Sequence, residues 1–387
     1  MELPFAKSDR STLGIEWELA LVDRQTGDLR SVAERILEAT HGDLPELASD
    51  EEHPYVKQEL LLNTIELITD VCNDVEEGVE QLRETARNVM RHCEPLDVDL
   101  YCQGSHPFAP PAKQPVTDKE RYNELIRRTQ WWGRQMVIYG VHVHVGLDDV
   151  RQAMPAVNAL CNYNAHFQAL SASSPFWSGE RTGYASNRSL MFQQLPTAGQ
   201  SYQFEEWSGY ERAVADLTHT GVIDDVSEVR WDVRAVPRLG TVEMRICDGV
   251  ATLEEISALT ALTQCIVHDT VQTLEDGGSV TSMPPWYVKE NKWRAARYGL
   301  EAIIILNENG DEELVTDHLA KELERLEPVA KQLGCEKELR LVERMMDDGA
   351  GYQRQLKVAE NHDGDLRQVV LDSAARTRMS INGPGTL

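Results

Sequence analysis

Apolar and polar residues alternate through Leu13-Gly14-Ile15-Glu16-Trp17-Glu18-Leu19-Ala20-Leu21, the period-two pattern of a strand with one face in a core. It predicts a strand over 11–23 with Ile15, Trp17, Leu19 and Leu21 on the buried side and Glu16 and Glu18 on the other. Arg24-Gln25-Thr26-Gly27-Asp28 reads as its closing turn. The alternation returns at 137–146, where His142 and His144 share a face against Val141, Val143 and Val145. Two strands are expected within 228–248, the second over 240–248, with Glu243 and Arg245 opposite Val242, Met244 and Ile246. The largely apolar run from Tyr55 to Thr69 is interrupted by Glu59 and Glu66. These two would fall on opposite faces of a regular strand and converge only if a turn or bulge intervenes near Asn63. A further strand is expected over 98–106, before a proline-rich loop that runs through Pro115.

Helical spacing predicts a short helix over 31–38, with Ser31 as cap and Glu34 completing a capping box. Helices follow over 74–93, 118–132 and 150–172. A second capping box, Thr252 with Glu255, opens a helix to about Glu275, and Asn291-Lys292-Trp293-Arg294-Ala295-Ala296-Arg297 begins a short one. Residues 316–378 are mostly helical, with breaks near Gly334, Asp347–Gly351 and His362–Gly364. Stretches 41–54 and 179–188 read as loops. No repeat and no linker divides the chain, so 1–387 is expected to be a single domain.

Composition narrows the partners. Of 387 residues, 38 are Lys or Arg and 64 Asp or Glu, a net charge of -26. That argues against nucleic-acid and anionic-membrane binding, both of which need a basic face; a salt-rich cytoplasm would also account for it. No apolar run reaches the length of a membrane span, and the start, Met1-Glu2-Leu3-Pro4-Phe5-Ala6-Lys7, lacks a signal-peptide pattern. Seven scattered cysteines without a Cys-x-x-Cys pair point to reduced thiols in the cytoplasm rather than a disulfide framework or structural zinc.

Singly, each polar pair has a plain explanation: a solvated acidic face, hydrogen-bonded sheet imidazoles, an exposed ion pair worth little. Together they describe one sheet face carrying glutamates, two histidines and an arginine, too much charge to bury unpaired. Such a face can floor a metal site. Carboxylates with an occasional imidazole and no thiolate suit Mg²⁺ or Mn²⁺, and ions beside an arginine make a receptacle for polyphosphate. No Gly-x-x-x-x-Gly-Lys-Ser/Thr loop and no Gly-x-Gly-x-x-Gly fingerprint occurs, which leaves a nucleotide to be held by metals and basic residues.

Gly-Ile-Glu-x-Glu at 14–18, the Glu59/Glu66 pair, Gly-Val-His-Val-His-Val at 140–145 and Thr-Val-Glu-x-Arg at 241–245 resemble the carboxylate–amine ligases of the glutamate–cysteine ligase type 2 family, distant relatives of glutamine synthetase. The likeness runs from about residue 11 to the helical C-terminus. It implies an α+β fold: a curved, mainly antiparallel sheet forming a funnel-shaped active site, flanked by helices. It implies ATP, Mg²⁺ (or Mn²⁺) and L-glutamate, with an amine such as L-cysteine as second substrate. Carried over by motif, Glu18, Glu59 and Glu66 would hold one metal and Glu16, His142 and Glu243 another. His144 would lie near the phosphates, and Arg245 would stabilise the phosphoryl group in flight. Asn291, Lys292 and Arg294 would serve the nucleotide. Arg181, Arg188 and Arg234 are candidates for substrate carboxylates, with loop salt bridges the competing explanation for each. Trp17 stands where many relatives have another residue. The implied chemistry is phosphorylation of the γ-carboxylate of glutamate, then displacement of phosphate by the amine. Rivals are a γ-glutamyl ligase with another acceptor, a guanidino-type phosphotransferase, and a nucleotide- or metal-binding regulator that kept the fold. The sequence leaves a homo-oligomer open.

Overall fold

The computed structural model describes residues 3–48 and 51–383. Met1 and Glu2 of the chain start and Ser49 and Asp50 of the 41–54 loop lie outside the described residues. The fold is α+β. Its centre is a mainly antiparallel sheet of seven strands: β1 (Leu13–Asp23), β2 (Val56–Gln58), β3 (Thr64–Ile68), β4 (Val98–Tyr101), β5 (Val141–Gly146), β6 (Val233–Val236) and β7 (Thr241–Met244). The order across it is β6-β7-β5-β1-β3-β2. β1, the longest strand, changes partner along one edge, pairing with β5 over Leu13–Trp17 and with β4 over Ala20–Asp23. The Tyr55–Thr69 run is two strands, joined through a turn at Leu62-Asn63, so Glu59 and Glu66 do reach the same cavity.

Alternation explains the two faces. Leu13, Ile15, Trp17, Leu19 and Leu21 of β1, Val141, Val143 and Val145 of β5, and Val242 and Met244 of β7 are all fully buried. They pack under α2 (Val75–Cys93), α4 (Ala153–Asn162) and α8 (Leu253–Glu275). α2 buries Val75, Val79, Leu82, Ala86, Val89 and Cys93, one stripe at helical spacing. α8 is buried on nearly every side, since it runs between the sheet and the C-terminal helices α10 (Val315–Leu333), α11 (Glu336–Asp348) and α13 (Leu366–Asn382). The other face divides along β1. Its C-terminal half, at Ala20 and Val22, is covered with Tyr101, Tyr139, Val370 and Ala374 by a small apolar cluster. Only the half bearing Glu16 and Glu18 stays open.

Several expected elements shift. The 150–172 helix is α4 and α5 (Asn164–Ser171), separated at Tyr163. The helix expected to start at Asn291 is α9 (Pro285–Tyr298), 14 residues long. α7 (Trp207–His219) has no counterpart among the predicted elements. The Ser31 capping box does not form: α1 (Ala33–Gly42) starts after Val32 with no side-chain cap. The Ala33 N–H instead donates to the Leu62 carbonyl at 3.0 Å, so tertiary contact supplies what the serine was expected to supply. All seven cysteines are free and buried. Among the described residues, no helix is long and apolar enough to cross a membrane.

Candidate active site

Register brings the polar side chains into rows. Arg234 on β6 stands opposite Glu243 on β7, which stands opposite His144 on β5. One step along, His142 on β5 faces Glu16 on β1; the next row pairs Glu18 with Glu66 on β3, itself opposite Lys57 on β2. Glu16 is the hub. Its two oxygens meet His142 Nδ1 at 2.7 Å and His144 Nε2 at 3.1 Å. The second ring nitrogen of His144, Nδ1, is 3.0 Å from the Thr241 hydroxyl. Glu243, fully buried, accepts from Arg234 Nε at 2.6 Å on one oxygen and from Arg245 on the other. Ligating atoms of Glu16, His142 and Glu243 lie within 4.8 Å of one another, as do those of Glu18, Glu66 and His142.

Electrostatics sorts the carboxylates into two kinds. Burial opposes ionisation of Glu16, but the hydrogen bonds from His142 and His144 outweigh it and hold the carboxyl well below its usual range. Burial is likewise outweighed at Glu243, here by the Arg234 and Arg245 charges. Burial also opposes protonation of His144, yet the Glu243 and Glu16 charges raise it. Glu59 and Glu66 have no such partners. Burial, then the charge of Glu18, pushes Glu59 up to about 7; burial, then Glu16 and Glu59, raises Glu66 well above the normal carboxyl range. Several carboxylates thus share a space that lacks enough cation, and His142 Nε2 is buried without a partner.

Glu16, Glu18, Glu59, Glu66 and His142 floor a cavity of about 980 Å³, and the buried His144 and Glu243 stand behind them without lining it. Facing them is a wall of arginines: Arg121, Arg127 and Arg128 on α3 (Glu120–Thr129), Arg188 at the start of α6 (Arg188–Phe192), and Arg230, Arg234 and Arg245. Burial, reinforced by the neighbouring arginines, lowers the Arg230 guanidinium from its ordinary range, a cluster of like charge that a bound anion would relieve. A larger cavity of about 1130 Å³ lies between α8, α11, α13 and α12 (Gly351–Asn361). Cations there pair with acids, Arg354 with Glu255 and Arg344 with Asp348, and no metal-ligating group of the described residues falls in it.

The structure does not bring every expected residue together. Glu16, Glu18, Glu59, Glu66, His142, Arg188, Arg234 and Arg245 line one cavity. Glu59 is outside the group that Glu18 and Glu66 form with His142. Arg188 is buried, and its guanidinium lies against Gly140, where an added Cβ would sit 2.1 Å from Nη2. Among the described residues its guanidinium makes only long hydrogen bonds, to the Arg245 and Ile246 carbonyls at 3.4 and 3.5 Å, and its Nε has no partner. Behind it, the buried Asp248 accepts from the Ser174 and Ser186 hydroxyls and the Ser173 N–H. Arg181 instead points outward to Glu360. Asn291, Lys292 and Arg294 do not line the cavity. Asn291 exchanges two hydrogen bonds with the Ile305 backbone, Lys292 is buried on Asp232, and Arg294 binds Glu290 and Glu312 at the surface. Sequence reasoning missed Arg121, Arg127, Arg128 and Arg230; their only signal is basic residues near a strand end or on a polar helix.

The sequence signature of Glutamate-cysteine ligase family 2 (GCS2) matches residues 12–372. A protein of Arthrobacter sp. (strain FB24) named "Putative glutamate--cysteine ligase 2-1" is 60% identical over 384 residues, spanning 99% of this chain and 100% of that one. One of Paenarthrobacter aurescens (strain TC1), named "Putative glutamate--cysteine ligase 2-2", is 58% identical over 378 residues, 98% of this chain and 99% of its own. The fold is also that of a glutamate–cysteine ligase of Francisella tularensis crystallised with AMP, at a TM-score of 0.68 and 13% identity, covering 98% of this chain and 90% of that one. The chain belongs to glutamate–cysteine ligase family 2. It is thereby a carbon–nitrogen ligase of the ATP-dependent carboxylate–amine type, whose class uses a nucleotide and a divalent metal.

Proposed function

We propose that the protein joins the γ-carboxylate of L-glutamate to the amino group of L-cysteine with ATP, giving γ-glutamylcysteine, ADP and phosphate. The observation that carries this reading is the meeting of Glu16, His142 and Glu243 with Arg234 and Arg245 at the floor of an arginine-walled cavity, Glu243 buried just behind it. The donor set fits Mg²⁺ or Mn²⁺: hard oxygens, one imidazole with an orphaned buried nitrogen, no thiolate. Glu16, His142 and Glu243 would hold one ion, and Glu18 and Glu66 another, with Glu59 lining the same cavity. Bound ions would neutralise and align phosphate oxygens.

The remaining work falls to the chain itself. Arg245, anchored by Glu243, offers its guanidinium to the phosphoryl group as charge spreads over its oxygens. Arg234 holds the other oxygen of Glu243 and so keeps that carboxylate ionised. Arg188, with an unused Nε, receives a substrate carboxylate beside Glu18, whose oxygen accepts the Gly140 N–H. His144 steadies Glu16 near the phosphates. Shielding of the cavity floor protects the γ-glutamyl phosphate from water until the amine attacks and phosphate leaves. ADP release tests the reading: it should require glutamate and cysteine together. Release with another amine in place of cysteine removes the acceptor assignment, and release with a guanidino compound without glutamate overturns the ligase reading.

A further inference from the structure

α9 carries a basic stretch that the cavity does not use. Lys292 Nζ donates to Asp232 Oδ2 at 2.7 Å, with each side chain only 3% exposed. Asp232 interrupts the strand path between Arg230–Trp231 and β6. Its N–H donates to the Gly199 carbonyl at 2.7 Å, and its own carbonyl accepts the Arg245 N–H at 2.8 Å. One residue therefore receives the lysine on its side chain and sets the place of Arg245 through its backbone, with Arg230 and Arg234 two positions to either side. Ser201 Oγ bonds both the N–H and the carbonyl of the next residue, Val233. Further along α9, the Ala296 carbonyl accepts the N–H groups of Ala185 and Ser186 at 2.8 and 3.0 Å, just ahead of Arg188.

We infer that Lys292 is a positioning residue: through its buried ion pair with Asp232 it fixes, from behind the cavity wall, the backbone that presents Arg234 and Arg245, and it touches neither nucleotide nor metal. The part about phosphoryl transfer rests on the ligase reading; the placement of Arg245 does not. An apolar contact at this point would tolerate sliding. A buried carboxylate cannot leave its ammonium without becoming an uncompensated charge, so Asp232 has one stable position. Misplacement of a catalytic group by 1 Å costs about 100-fold in rate, which is what the pair guards against.

The paired variant Lys292→Met/Asp232→Asn removes both charges and strands neither. It should melt within a few degrees of the wild type and bind Mg²⁺·ADP with a Kd within about threefold by calorimetry. Its kcat for ADP release at saturating substrates should fall about 100-fold. Lys292→Arg, which keeps the charge but changes length and shape, should show the same split with a smaller loss. Unchanged kcat in the paired variant overturns the inference, because the pair would then only support the fold. A rise in the Mg²⁺·ADP Kd of about tenfold or more in either variant also overturns it, because Lys292 would then contact the nucleotide. If the wild type releases no ADP with glutamate and any amine, the ligase reading fails alone. A crystal structure of either variant then decides the inference: Arg245 displaced from Glu243 upholds it, and Arg245 still seated there overturns it.

Discussion

Glu243 has no exposed side-chain surface, yet it stays ionised because guanidinium groups flank both of its oxygens. Arg245 is thereby aimed before any substrate arrives, and pre-aimed charge is what accelerates transfer. Arg245→Lys keeps the charge but loses the planar fork; kcat for ADP release should fall by about 10²–10³ with the KM for ATP little changed, as steady-state kinetics would measure. Gly140 has a different task. Its missing side chain makes room for Arg188, so Gly140→Ala should displace that guanidinium and raise the KM for glutamate about tenfold or more, the worth of one charge-assisted hydrogen bond. At this scale the sheet ligands were legible because alternation fixes which side chains share a face, as with Glu16 and Glu18 or His142 and His144. Arg188 and Arg181 were indistinguishable by the same means. They sit in a stretch without period, and only the packing around Gly140 and Asp248 turns one inward while the other meets Glu360.

Two helix starts with the same local signature end differently. Thr252 caps α8, accepting the Glu255 N–H while Glu255 accepts the Thr252 N–H. Ser31 with Glu34 forms no such box, because Leu62 from the turn before β3 reaches the free N–H of α1 first. Thr252→Ala should therefore cost about 1 kcal/mol, and Ser31→Ala should stay within about 0.5 kcal/mol of the wild type; urea denaturation of both variants checks the contrast. A capping signal describes what a chain can do locally, and a neighbour distant in sequence decides whether it is used. The strands were more legible than the helix ends for the same reason: burying Ile15, Trp17 and Leu19 is non-negotiable for β1, whereas an N–H accepts any available oxygen.

Across the whole molecule, charge and protonation set the conditions of stability. Glu59 and Glu66 are partly buried beside Glu16 and Glu18 with too little compensating cation. Saturating Mg²⁺ should raise the melting temperature by several degrees, as binding at about 100 times Kd adds about 2.7 kcal/mol, and EDTA should reverse the shift in a thermal melt. A second dependence comes from histidines that do not line the cavity. Burial lowers His106 to about 4 and His166 to about 3. His106 bonds the Gly27 carbonyl through Nε2 and accepts the Ala109 N–H on Nδ1; His166 Nε2 lies 2.8 Å from His318 Nδ1. Both are neutral when folded and free to take a proton when unfolded, so the unfolded chain binds more protons between 6.5 and the folded values. The histidines' contribution is thus fully present above pH 6.5 and is lost as pH drops through that window, by on the order of 3 kcal/mol for His106 alone. Glu59 and Glu66, raised when folded, act in the opposite sense over the same window, so the change in urea midpoint between about pH 7 and about pH 5 is compared between the wild type and a His106→Gln variant, which should lose less on acidification. Finally, the order of strands in the sheet governs how the protein is made. β1, β3 and β5 leave the ribosome long before β6 and β7, so a growing chain carries Glu16, Glu18, Glu59 and Glu66 before Arg234 and Arg245 exist. Until Glu243 docks beside His144, half the constellation is mutual repulsion on an unfinished edge. A stalled or truncated chain ending before β7 should then be unable to complete the Glu16–His142–Glu243 group and be prone to recruit other strands, a burden for the quality-control machinery rather than a partial enzyme.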